Sequence, residues 1–124
     1  MKFGLYISTQ WPEGANISSE MDNMLDQVRV ARDNGFSSVW MGQHYLVAPM
    51  QMMQVMPLLS RLAAEGEGMT FGTAVVLLSM LNPAVVAEEA ATLDWITEGN
   101  FILGVGMGYR KEEFETLGVP FNQR

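Results

Sequence analysis

Two hydrophobic periods alternate along this chain. Short runs of branched and aromatic residues, KFGLYIS at 2–8 and FSSVWMG at 36–42, read as β-strands. MTFGTAVVLLS at 69–79 is almost continuously apolar, as strands covered on both faces are, and FILGVGM at 101–107 is the fourth strand. Between the strands the period lengthens. Met21, Met24, Leu25 and Val28 recur at helical spacing behind Ser19, whose capping-box relation to Asp22 sets the predicted start of the first helix. TQWPEGANIS at 9–18 reads as a loop, and Gly35 stands at the helix C-cap. Pro57 falls in the first turn of a second helix, which EGEG at 65–68 closes. Asn82 and Pro83 supply an N-cap and a first-turn proline for a third helix running to about Glu98. A short fourth helix, KEEFETLG at 111–118, follows the last strand.

Strand centres near Leu5, Val39, Val75 and Leu103 lie roughly thirty residues apart, the size of a βα unit. This rhythm predicts a single α/β domain over residues 1–124, with a parallel sheet and right-handed crossovers. In such folds ligands sit beyond the carboxyl ends of the strands. Those ends carry Gln10 and Trp11, then Gln43, His44 and Tyr45, then Leu78 to Asn82, and finally Gly106 to Arg110. Any site is expected on that rim.

Composition narrows the chemistry. A 48% hydrophobic and 17% charged chain forms a core, and its net charge of −7 argues against nucleic acid as a partner. No apolar run reaches the ~20 residues that span a bilayer. The opening MKFGLYIST lacks the basic, long apolar and cleavage parts of a secretion signal, so a cytoplasmic, soluble protein is expected, without membrane association. Without cysteine there is no disulfide, thiolate metal site or cysteine nucleophile. One histidine with no carboxylate at a ligand spacing makes no metal site either.

Several motifs stand on the rim. The glycine run at 104–108 fails the dinucleotide fingerprint, because Tyr109 and Lys111 stand where its third glycine belongs. Two readings remain for it: a structural device for a sharp turn or close backbone packing, or the approach of a flat ligand to bare backbone. His44 is structural, or it is a proton-handling group whose ordinary pKa of ~6.5 suits neutral pH. Met50, Met52, Met53 and Met56 either fill core or line an adaptable pocket. Glu112 and Glu113 are candidate acids or bases, although the dipole of the fourth helix explains both more simply. A receiver-type domain would need acidic residues at the first and third strand ends, where Ile7–Ser8 and Leu78–Ser79 stand.

The segments MKFGLYIST, GFSSVWMGQHY, FGTAVVLLSMLNPAVVAEEAATLDWITEGNFILGVGMGYRKEEFETLGV and FNQR together resemble the luciferase-like monooxygenase family. That family includes bacterial luciferase, alkane monooxygenases and deazaflavin-dependent oxidoreductases. The resemblance implies a (β/α)₈ barrel of TIM type, of which this chain is the N-terminal, parallel (βα)₄ half. It implies FMN, or alternatively a deazaflavin coenzyme, at the carboxyl ends of the strands, with no metal. A non-proline cis peptide under the flavin ring would fall at about Ala74–Val75. His44 matches a histidine near the flavin in luciferase's catalytic subunit, and Gly106, Met107 and Gly108 match positions beside it. Some relatives carry an arginine at the position of Met107 and use it on the flavin phosphate. The implied activity is an oxidoreductase, a monooxygenase using reduced flavin and O₂ on a small organic substrate, with a separate flavin reductase as partner. The alternative is a non-catalytic half-barrel that binds flavin or oligomerises. Half a barrel leaves open strand edges, so the chain is expected to be a homo-oligomer or a fragment of a longer polypeptide.

Overall fold

A computed structural model describes residues 1–124. In chain order its elements are β1 (Gly4–Tyr6), β2 (Gln10–Trp11), α1 (Ile17–Asp33), β3 (Ser38–Met41), β4 (Gln51–Met52) and α2 (Val55–Ala63). There follow β5 (Thr70–Thr73), β6 (Val76–Leu77), α3 (Pro83–Ile96), β7 (Phe101–Ile102), β8 (Val105–Gly106) and α4 (Lys111–Leu117). Strands β1, β3, β5 and β7 form one parallel sheet in that spatial order, as expected of consecutive βα units.

The register explains the layering. Leu5, Val39, Phe71 and Phe101 lie opposite one another across the sheet, and Val39 and Phe71 are fully buried. They pack with Met24, Leu25 and Val28 of α1 and Val55, Leu59 and Leu62 of α2 into the main core. The next row, Tyr6, Trp40, Gly72 and Ile102, points to the other face, because side chains alternate along a strand. That face has no helix layer, and Tyr6 is 58% and Ile102 47% exposed. Helix α3 buries only Val86 and Leu93, leaving Val85, Trp95 and Ile96 exposed. No helix is long and apolar enough to cross a membrane.

Three local features depart from the sequence reading. Helix α1 begins at Ile17, not behind Ser19, and its N-cap is Asn16, whose side chain accepts the Ser19 N–H at 3.3 Å. The supposed loop at 9–18 contributes β2, which pairs antiparallel with β4 through Gln10–Met52 and Trp11–Gln51. The third and fourth strands are each broken. The Ala74–Val75 peptide is cis, where the resemblance placed it, and it separates β5 from β6; β7 and β8 part at the same level, with β6 parallel to β8. Thr73 spans this break. Its buried hydroxyl donates to the Gly104 carbonyl at 2.8 Å and accepts the Gly104 N–H at 2.9 Å. Residue 104 has to be glycine, since a Cβ there would run into the Thr73 carbonyl oxygen.

Candidate cofactor site at the carboxyl end of the sheet

A cavity of about 530 Å³ opens on the rim where the strands end. All six residues singled out in the sequence, His44, Ala74, Val75, Gly106, Met107 and Gly108, line it. Three of the four strand positions do this directly: β3 delivers His44, the cis-linked Ala74–Val75 lies at the end of β5, and β8 delivers Gly106 to Gly108. A Cβ on Gly106 would stand 2.7 Å from Val75 Cγ2, so bare backbone there lets β8 lie close against the Val75 side chain. The Ser79 hydroxyl donates to the Met107 carbonyl and ties this end to the turn after β6. Tyr6, Ser8, Thr9, Gln10 and Met52 close the other side. The Met-rich segment divides accordingly: Met56 is core, Met53 packs against the core, Met52 faces the cavity and Met50 is exposed.

The strongest polar feature lies behind His44. Glu113, in the first turn of α4, is completely buried. Its Oε1 accepts the Tyr45 N–H at 2.8 Å and stands 3.0 Å from His44 Nδ1; its Oε2 is buried and bonds to no protein group. Both glutamates stand in the first turn of α4, but only Glu113 is buried against His44 and Tyr45, contacts that the helix-dipole reading does not account for, whereas Glu112 is exposed. Phe114 held the signal. It anchors α4 inward, which puts Glu113 100° away on the packed side and Glu112 outside.

Two glutamines complete the frame: Gln43, which the sequence reading placed on the rim without a role, and Gln54, which it passed over. Gln54 donates to the His44 carbonyl at 3.1 Å. Buried Gln43 accepts the Leu77 N–H at 3.0 Å and donates to the Tyr45 hydroxyl at 3.0 Å and to Gln54 Oε1 at 3.3 Å. Burial, aided by the charges of Glu89 and Glu113, pushes the Tyr45 phenol above its ordinary range, so it stays protonated. Tyr109 sets its ring edge-on to His44 with centroids 5.7 Å apart.

The lining can be tested against a flavin. Ala74 and Val75 present an apolar surface, and Gly106 and Gly108 offer backbone without side chains, which suits one side of a flat ring. The fifteen lining residues include no Lys or Arg, so a phosphate meets no cationic side chain here. The ring fits; these residues do not supply a charged phosphate clamp.

A parallel (βα)₄ sheet with its polar rim at the carboxyl ends is half of a (β/α)₈ barrel of TIM type. The chain matches the luciferase-like monooxygenase family over residues 1–124 and belongs to that family. It is 24% identical to the alkanal monooxygenase alpha chain of Photorhabdus laumondii over 98% of its own length and 34% of that protein. The coenzyme F420 dependent tetrahydromethanopterin reductase of Methanopyrus kandleri superposes with a TM-score of 0.72 at 28% identity, covering 97% of this chain and 30% of that one. The FMN complex of the oxygenating constituent of 3,6-diketocamphane monooxygenase, from a Pseudomonas putida plasmid, superposes with a TM-score of 0.82 at 21% identity. That likeness covers 98% of this chain and 35% of the other. The chain spans between a quarter and about a third of the length of the curated relatives it matches.

Proposed function

We propose that the cavity holds the ring system of FMN, or alternatively of a deazaflavin, in an oxidoreductase that oxygenates a small organic molecule. What supports the reading is the convergence of His44, Ala74, Val75, Gly106, Met107 and Gly108 on one cavity. Family membership supports it too, together with relatives named for FMN, coenzyme F420 and monooxygenation. Bound flavin supplies the redox chemistry. The chain's own residues do the rest: Ala74 and Val75 carry the ring on an apolar surface, Gly106 to Gly108 admit it close to backbone, and His44 takes or gives a proton at the cavity. In this reading the phosphate group is held by residues outside this half, and reduced flavin comes from a separate reductase.

The test is a fluorescence titration of the full-length protein with FMN and with a deazaflavin coenzyme, repeated with Gly106→Val. Binding of one cofactor, weakened at least tenfold by the valine, is the expected result. If neither cofactor binds at millimolar concentration, the flavin reading is wrong.

A further inference from the structure

We propose that Glu113 is a positioning residue: it holds neutral His44 as the tautomer protonated on Nδ1, leaving Nε2 bare for a ligand in the cavity. This deepens the flavin reading, on which its effect on turnover rests; the tautomer itself rests on geometry within this chain.

The argument turns on Oε1 of Glu113. A backbone N–H is always a donor, and that of Tyr45 reaches Oε1 at 2.8 Å, so Oε1 is an acceptor. With Glu113 as the carboxylate, Oε1 can only accept, so a ring nitrogen 3.0 Å away presents its hydrogen, which places the proton of the neutral ring on Nδ1. Nε2 makes no hydrogen bond within the protein, and His44 lines the cavity with its side chain 23% exposed. The ring is also fixed from outside the pair. Gln54, the N-cap residue of α2, holds the His44 carbonyl, and the Tyr109 ring stands edge-on to the imidazole. The other oxygen of Glu113, Oε2, is buried and bonds to no protein group. A leucine in place of Glu113 would leave both His44 Nδ1 and the Tyr45 N–H without their acceptor.

Nitrogen-15 NMR of histidine-labelled protein, at a pH where the ring is neutral, reads the tautomer directly, with the His44 signals identified by their loss in His44→Asn. In the wild type Nδ1 is expected to show the shift of a protonated nitrogen and Nε2 that of an unprotonated one. Glu113→Leu should move the ring toward the Nε2-protonated form that imidazole prefers in water. Glu113→Gln, which keeps an acceptor oxygen, should retain the native form. In the full-length enzyme Glu113→Leu should lower kcat by about a hundredfold with little change in KM, and Glu113→Gln should restore much of it. A wild-type ring protonated on Nε2 overturns the proposal, and so does Glu113→Leu with both the native tautomer and full turnover. The wild-type measurement decides even if the leucine variant does not fold. Protein that binds no flavin but shows the native tautomer, lost in Glu113→Leu, upholds Glu113 and leaves the flavin reading alone to fall.

Discussion

If His44 handles a proton as proposed, His44→Ala should reduce turnover of the complete protein by about a hundredfold, the usual worth of a positioned proton-transfer group. Cofactor affinity should change little, because the apolar surface of Ala74 and Val75 and the backbone of Gly106 to Gly108 remain. Steady-state kinetics beside a binding titration separates the two, and full turnover in the variant would remove His44 from the chemistry. Met107 offers the converse experiment. With no Lys or Arg around the cavity, Met107→Arg should tighten FMN by about tenfold while leaving riboflavin unchanged, since only the phosphate gains a partner. Equal gains for both ligands would show that the arginine acts through the ring. The candidate residues legible in the sequence were those fixed by their place at a strand end. His44 and Gly106 to Gly108 needed only the strand boundaries. Gln54 was not legible, and Glu113 and Gln43 were named only as a candidate acid or base and a rim residue, because their partners are chosen by the fold: Glu113 meets His44 and Tyr45 across nearly seventy positions of chain.

At the scale of elements, the break between β5 and β6 depends on one hydroxyl. Thr73→Val keeps the shape but strands the Gly104 N–H, and should cost about 1–3 kcal/mol in urea unfolding. Thr73→Ser should cost less, and equal losses in the two variants would mean that the methyl matters as much as the hydrogen bonds. A second junction joins α1 to the end of α2, where Glu65 accepts from Arg29 at 2.8 Å and from Arg61 at 3.0 Å. These hydrogen bonds lower the Glu65 carboxyl from 4.5 to about 2. A lowered carboxyl contributes stability above its unfolded value, and that contribution is lost as pH falls through its folded one. Wild type should therefore exceed Glu65→Gln in melting temperature at pH 7, with the gap closing between pH 4.5 and 2. A gap that does not vary with pH would place the effect in packing. The helix starts show what local sequence decides. Asn82–Pro83 marked α3 correctly because only one cap was on offer. At α1 both Asn16 and Ser19 are good caps, and the fold uses Asn16 with Ser19 as its first-turn donor.

For the whole molecule, the uncovered sheet face and the unpaired edges of β1 and β7 are the dominant fact. Parallel sheets are covered on both faces in stable proteins, and open edges invite pairing. Residues 1–124 studied by themselves should self-associate at micromolar concentration, visible in light scattering behind size exclusion. A monodisperse monomer of ordinary stability would count against that expectation. The rhythm of strands and helices was legible because it is local and repeated. What covers the inner face of the sheet was not legible residue by residue, because a run such as MTFGTAVVLLS looks the same whether its other face meets further barrel strands or none. The open half-barrel itself was expected only from the resemblance. Tyr6 lines the cavity from β1, and Gly106 and Met107 line it from the opposite flank, whereas His44 and Glu113 are joined well inside those borders. Whatever completes the barrel thus adds walls to the cavity, while the His44–Glu113 contact is already made within this segment. If His44 handles the proton as proposed, grafting this segment onto different complementary halves is a route to new substrate ranges around one unchanged His44–Glu113 contact.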